Sequence, residues 1–283
     1  MRFGFVTCVE LGLSCMEEIY SVGGELHLAI TLKDEVAREK SGRIYLDDFS
    51  KKHNIKLLKC NNINDQEIVD TIIQYNIDWL FIIGWSQIAK ENILSAPQRG
   101  VLGIHPTLLP IGRGRAPIPW PIIKGHKETG VTLFKLDKGV DTGPILQQIA
   151  LPIVSNETAT SLYSKVNNAH CTLIHNVWPK LVSDTIQLTV QDEKNATLWP
   201  GRSPEDGEVF KTMTSTQADR LIRGVTKPYP GAYIKHCGVK YIVWSAKFNN
   251  EANFEKTFDI NDDFLQFKLS DGVLISSNWE VVK

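Results

Sequence analysis

Trp79-Leu80-Phe81-Ile82-Ile83 and, further along, Val101-Leu102-Gly103-Ile104-His105 are short, almost wholly apolar runs. A strand with one solvated face alternates apolar and polar residues. A strand covered on both faces reads instead as a continuous apolar run. The same signature stands upstream at Arg2–Val9, Glu25–Leu32 and Ile55–Cys60. Helical signals lie between the runs. Asn64-x-x-Glu67 resembles a capping box ahead of an apolar face of Ile68, Val69, Ile72 and Ile73. A second helix is expected from near Ser86, carrying Ile88 and Leu94. This alternation implies an α/β fold, a Rossmann-like and mostly parallel sheet with right-handed crossovers and helices on both faces. Ligands of such sheets bind beyond the carboxyl ends of the strands, which points to the residues after Ile83 and Leu102.

Downstream, Val131–Asp137 and Gln147–Ile153 read as further strands joined by a turn-rich loop. Leu162, Tyr163, Val166, Leu173, Ile174, Val177 and Trp178 form a helical stripe within a long helix from about Thr158 to Leu181. The character then changes. Thr197–Gly207 holds two prolines and two glycines and resembles a linker. Thr216–Thr226 reads as a helix, followed by strands at Ala232–Lys235, Tyr241–Ala246, Phe264–Leu269 and Val273–Ser276. Ser270-Asp271-Gly272 is a hairpin signal. Two domains are expected, residues 1–190 and a small β-rich, OB-like domain over 191–283.

Bulk composition narrows the function. Of 283 residues, 42% are hydrophobic and 22% charged, and the formal net charge is −1. That balance argues against a nucleic acid as the principal partner, which would call for a basic surplus. The five cysteines are odd in number and lack a CxxC pair, so neither a disulfide framework nor a zinc site is expected. Reduced thiols, no secretory leader and no apolar run of membrane-spanning length suggest a cytoplasmic protein without a membrane partner. Strand one runs into Cys8-Val9-Glu10-Leu11-Gly12, which is not a GxGxxG dinucleotide fingerprint. A phosphate-binding GxxxxGK[ST] loop and a GxSxG nucleophile elbow are also missing.

The stretch richest in chemistry is Gly103-Ile104-His105-Pro106-Thr107-Leu108-Leu109-Pro110, then Gly112-Arg113-Gly114-Arg115-Ala116-Pro117, Thr129-Gly130-Val131-Thr132 and Asp141-Thr142-Gly143-Pro144-Ile145. Taken alone, a histidine at a strand end is more often structural than catalytic, and Asp-Thr-Gly is common turn chemistry. Together, and in this order, the blocks resemble the folate-dependent formyltransferase family. The pattern of that family is Asn-x-His-x-Ser-Leu-Leu-Pro, an Arg-Gly-x-x-Pro loop, Thr-Gly-Val-Thr and Asp-x-Gly-x-Ile. The resemblance covers residues 1–180 well. It extends more loosely through Trp199-Pro200-Gly201-Arg202, Glu205-Asp206-Gly207 and Pro228-Tyr229-Pro230-Gly231-Ala232.

The resemblance implies acyl transfer from N10-formyltetrahydrofolate to an amine, with no metal. Such a reaction needs a base, a group that orients it and donors for the oxyanion. His105 suits the base, because imidazole titrates near neutrality, and Asp141 suits the orienting carboxylate. Where the family carries the oxyanion asparagine this chain has Gly103. Three readings follow: another donor takes over, the reaction is slow or altered, or the chain binds its ligands without turnover. Gly103→Asn is expected not to abolish transfer. Ile83, Gly84, Trp85, Ser86, Gln87 and Ile88, with Asp137, match the segments of the family that hold folate. Cys8, Gly12, Thr107, Arg113 and Arg115 are candidates for the acceptor side. Both arginines read equally as loop braces.

The HPTLLPIGRGRAPIPW run is similar to that of the sugar-nucleotide N-formyltransferases, which implies a nucleotide-linked 4-amino sugar of the dTDP class as acceptor and a homodimer. The alternatives are a methionyl-tRNA formyltransferase and a non-catalytic folate- or sugar-nucleotide-binding homologue.

Overall fold

In the computed structural model, which describes residues 1–37, 43–250 and 254–282, the apolar runs form the centre of a seven-stranded sheet. Its strands are β1 (Phe3–Val6), β2 (Leu28–Leu32), β3 (Lys56–Cys60), β4 (Trp79–Ile82), β5 (Gly100–His105), β7 (Glu128–Lys135) and β8 (Ile145–Pro152), in the order β3-β2-β1-β4-β5-β7-β8. Two-residue strands β6 (Arg113–Gly114) and β9 (Leu198–Trp199) lie outside it. The helices are α1 (Glu10–Ser21), α2 (Asp34–Ala37), α3 (Asp47–Lys52), α4 (Gln66–Gln74), α5 (Glu91–Ser95), α6 (Pro119–Lys124), α7 (Ala159–Val182) and α8 (Ser215–Gly224).

β1 to β5 pair in parallel and β7 runs antiparallel to β5, so the sheet is mixed at one edge. Strand alternation separates the two faces. Val6, Leu80 and Ile82 pack with Ile68, Val69 and Ile72 of α4 on one face. Phe3, Phe5 and Phe81 form a ring stack on the other, where Trp178 of α7 lies 4.3 Å from Phe3 between centroids. Helices therefore cover both faces, which is why these strands read as unbroken apolar runs.

The chain divides into two compact units. One comprises Met1–Arg113, Gly130–Ala150 and Val166–Leu198. The other comprises Gly114–Thr129, Leu151–Lys165 and Trp199–Lys283. The second unit carries a five-stranded antiparallel half-barrel of β10 (Ala232–His236), β11 (Val239–Asn249), β12 (Phe258–Ile260), β13 (Leu265–Lys268) and β14 (Val273–Val282), ordered β10-β11-β14-β13-β12. Ala218, Leu221 and Ile222 of α8 pack on Ile234, Val243, Phe267 and Leu274. The Asp271 carboxylate of the 270–272 turn accepts the Ser215 backbone N–H at 2.6 Å, tying the hairpin to the start of α8.

Three local expectations change. Asp65, not Asn64, precedes α4. The Asn64 side chain instead accepts from Lys90 N at 2.7 Å and donates to the Ile88 carbonyl at 2.9 Å. The helix expected near Ser86 begins at Glu91, and Ile88 is 83% exposed. Ile73 also faces solvent. Among the described residues no helix is long and apolar enough to cross a membrane, and no group of His, Cys, Asp and Glu is placed to hold a metal ion.

Candidate active site

β5 ends at His105, which is buried to 8% exposure. Its Nε2 lies 2.8 Å from the Gly112 carbonyl. A carbonyl only accepts, so Nε2 carries the proton and the neutral ring keeps its lone pair on Nδ1. Nδ1 faces Asp141 Oδ2 at 3.6 Å, inside ion-pair range but beyond a hydrogen bond. Once protonated, both N–H groups of the ring would face acceptors.

Both acceptors are held by their own networks. Asp141 sits at φ 54°, in the left-handed region. Gln191 Nε2 donates to the Asp141 carbonyl at 2.8 Å and to the Gly143 carbonyl at 2.7 Å. Gly143 has a steric reason to be glycine, since a Cβ there would lie 1.7 Å from the Lys135 carbonyl oxygen. Asp137 Oδ1 accepts from the Thr142 hydroxyl at 2.7 Å and the Gly139 N–H at 3.0 Å, organising the same loop. On the other side, Gly112 N–H donates to the Thr197 hydroxyl at 2.8 Å. Thr197 N–H donates to the Pro110 carbonyl at 3.1 Å, and Arg113 N–H to the Thr197 carbonyl at 2.9 Å.

Arg113 is buried, with Nε and Nη2 on Gln191 Oε1 at 3.1 and 2.8 Å and Nη1 and Nη2 on Glu193 at 2.9 and 2.6 Å. The Glu193 hydrogen bond raises the guanidinium pKa, and Arg113 in turn holds the Glu193 carboxyl below the usual carboxylate range. Of its two sequence readings, the geometry is that of the brace. Arg115 lies in the other compact unit and is exposed. Thr107 is 1% exposed, and its hydroxyl donates to the Gly112 carbonyl at 3.5 Å.

The strand-one candidates are also packing residues. Cys8 is buried, with Sγ 4.0 Å from the Gly84 carbonyl. A Cβ on Gly12 would lie 1.9 Å from the Thr7 hydroxyl, so glycine lets α1 close on the end of β1. Neither offers side-chain surface to an acceptor.

Gly103 is likewise hemmed in. A Cβ there would meet Leu136 Cδ2 at 2.7 Å, so a leucine side chain stands where an asparagine would project.

The loop after β4 is different in kind. Gly84 adopts φ +66°, and a Cβ there would strike Val9 Cγ2 at 2.4 Å. Gln87 is engaged with its neighbours: Oε1 accepts Ile63 N–H at 2.8 Å and Nε2 donates to the Asn61 carbonyl at 2.8 Å. The Trp85 indole packs near Cys8 and Leu32, yet its Nε1 is buried without a hydrogen-bond partner. An orphaned donor on the loop past a strand end fits a polar heterocycle entering beside it. Gln191 and Thr197, which hold the flanks of His105, were not singled out from sequence. They follow α7 in a stretch with no periodicity, and only the tertiary fold brings them to the loops they bind.

A formyl transferase family model matches residues 15–177, and a second, for the formyl transferase C-terminal domain, matches residues 202–278. A methionyl-tRNA formyltransferase of Agathobacter rectalis is 30% identical over 249 residues, covering 87% of this chain and 80% of that protein. The bifunctional polymyxin resistance protein ArnA of Wigglesworthia glossinidia brevipalpis is 31% identical over 242 residues, covering 86% of this chain and 36% of that larger protein. Among solved structures, an N-formyltransferase of Helicobacter canadensis in complex with folinic acid and dTDP-3-aminofucose superposes with a TM-score of 0.73 at 19% identity, covering 99% of this chain and 100% of that one.

Proposed function

The chain belongs to the formyl transferase family and is a formyl-transferring enzyme, and from that premise we propose that it formylates the amine of a nucleotide-linked amino sugar, with N10-formyltetrahydrofolate as donor. The observation that carries the catalytic part is the pair of acceptors around His105, Gly112 O at 2.8 Å and Asp141 Oδ2 at 3.6 Å. The folate would supply the activated formyl carbon. This chain's residues do the rest. The Ile83–Ser86 loop and the unpaired Trp85 indole receive the donor. His105 takes the amine proton on Nδ1. Asp141 faces the resulting imidazolium, with its Oδ2 at 3.6 Å from Nδ1.

For the acceptor, the net charge of −1 favours a small anionic molecule over tRNA, whose phosphates demand a basic surface. The full-length likeness to a solved enzyme bound to dTDP-3-aminofucose is consistent with that choice. One observation supports a second reading, a methionyl-tRNA formyltransferase: the Agathobacter relative matches over 80% of its length. Incubation with 10-formyltetrahydrofolate and either dTDP-linked amino sugars or methionyl-tRNA separates them by the product that gains one formyl group. Formylated sugar supports the proposal. Formylated methionyl-tRNA, with salt-sensitive binding, overturns it in favour of the second reading. Donor binding without either product would overturn the catalytic assignment.

A further inference from the structure

We infer that Gln191, with Arg113, is a positioning device that sets the spacing of the two acceptors flanking His105. The inference rests on the proposed role of His105 and deepens it.

The Gln191 side chain has one carbonyl and one amino group, and both are fully used. Nε2 donates to the carbonyls of Asp141 and Gly143, at 2.8 and 2.7 Å, and Oε1 receives the Nε and Nη2 fork of Arg113 at 3.1 and 2.8 Å. The amide orientation is therefore unambiguous. A flipped amide would press its NH2 against a guanidinium and its oxygen against two carbonyls. Gln191 is 5% exposed, where hydrogen bonds gain strength from the low dielectric and water cannot substitute for them. Thr189 and Ile145 exchange backbone hydrogen bonds at 2.8 Å, which places residue 191 opposite the 141–143 turn. Glu193 fixes the other edge of the Arg113 fork.

The consequence lies on both sides of the imidazole. Arg113 is the residue after Gly112, whose carbonyl holds His105 Nε2. Gln191 holds the backbone of Asp141, whose carboxylate faces Nδ1. The Arg113–Gln191 junction thus joins the two loops that carry the acceptors of the imidazole. It also supports Asp141 in the left-handed backbone region, which L-residues disfavour. A loop held this way keeps the 3.6 Å gap between Asp141 and Nδ1. Released, the carboxylate is free to drift from the ring.

Gln191→Glu tests this selectively. It keeps an acceptor for Arg113 and removes both donors to the 141–143 turn. The expected result is a folded protein whose kcat, for transfer from 10-formyltetrahydrofolate to a dTDP-linked amino sugar, falls on the order of 10–10²-fold. KM for the folate is expected to change by less than about twofold, because the Trp85 loop is untouched. Hydrogen–deuterium exchange is expected to accelerate in the peptide spanning 137–145 while the sheet strands stay protected. Gln191→Met introduces no buried charge. It is expected to show the same kcat loss and the same local exchange, and it replaces the glutamate variant if that one fails to fold. A kcat within twofold of the parent, or unchanged exchange over 137–145, overturns the inference. The exchange experiment needs no substrate, so it decides the positioning role even if the acceptor assignment fails.

Discussion

After β5, the polar groups around the strand end are matched. His105 Nε2 has Gly112, Gly112 N–H has Thr197, Arg113 has Gln191 and Glu193, and Thr107 is turned inward. After β4, one is not. Gln87 is tied back to the 61–63 segment, Ile88 stands 83% exposed, and the Trp85 indole N–H is buried without a partner. The contrast fits the two tasks proposed for these strand ends, proton transfer beside β5 and folate binding beside β4. A proton-transfer site benefits from acceptors that are already in place, because no reorganisation then accompanies the charge change. A binding loop benefits from a group left unmatched, because a ligand that completes it gains a hydrogen bond the free protein lacks.

The largest expected effect breaks the β5 side of this comparison. His105→Ala is expected to lower kcat by on the order of 10²–10⁴, the usual contribution of a general base. His105→Gln can still donate to the Gly112 carbonyl but is a far weaker base, and it is expected to lose as much rate with little change in thermal stability. Asp141→Asn keeps the size of the side chain and removes its charge. It is expected to cost about 10² in kcat with an unchanged folate KM. Steady-state kinetics with both substrates varied checks all three. A near-parental rate in either histidine variant would remove the base from His105.

A second histidine sharpens the same contrast. Burial pushes the His170 imidazole down to about 4. Its Nδ1 donates to the Val166 carbonyl at 2.7 Å, as a neutral ring can. The folded pKa lies below the ordinary value of 6.5, so the unfolded chain binds this proton more readily. Stability from the neutral ring is full above about pH 6.5 and is lost as pH falls toward 4, roughly 3 kcal/mol in all. Urea unfolding of the parent and of His170→Gln between pH 7 and 4 tests this. The stability difference between them should shift by about that amount across the window. A constant difference would show that His170 does not titrate there.

Much of this was legible in the chain. Apolar runs buried on both faces gave away the parallel sheet. His105 and Asp141 stand out because glycines and prolines surround them in their blocks, and the structure gives one of those glycines, Gly143, a steric reason. What was not legible depends on distant partners. Thr107, Cys8 and Gly12 sit near strand ends, and their burial depends on neighbours distant in sequence. Gln191 carries no local signal, because its partners lie 48 to 78 residues away in sequence. At Gly103, where the sequence lacks the asparagine donor, a Cβ would meet Leu136 Cδ2 at 2.7 Å. Gly103→Asn is therefore expected to overpack the site and lower stability by about 1–3 kcal/mol. Leu136→Ala in the same chain should restore room for the amide. Chemical denaturation of the single and double variants checks this, and additive losses would show that the two side chains do not compete.

The smallest expected effect addresses the β4 loop, and it carries two signs. Trp85→Phe removes the indole N–H while keeping an aromatic ring against Cys8 and Leu32. In the free protein that N–H is buried without a partner, so deleting it relieves a desolvation penalty on the order of 1 kcal/mol, less whatever packing the smaller ring gives up. In the complex it is the donor proposed to meet the folate, and losing one neutral hydrogen bond is worth about 0.5–1.5 kcal/mol. The variant should therefore be as stable as its parent or more so, with the folate KM raised about 2- to 10-fold and kcat unchanged. Thermal melts with and without 10-formyltetrahydrofolate read both signs in one titration. A variant that loses stability and binds the folate as tightly as its parent would show that the indole N–H is matched within the protein. The loop after β4 would then be as closed as the one after β5.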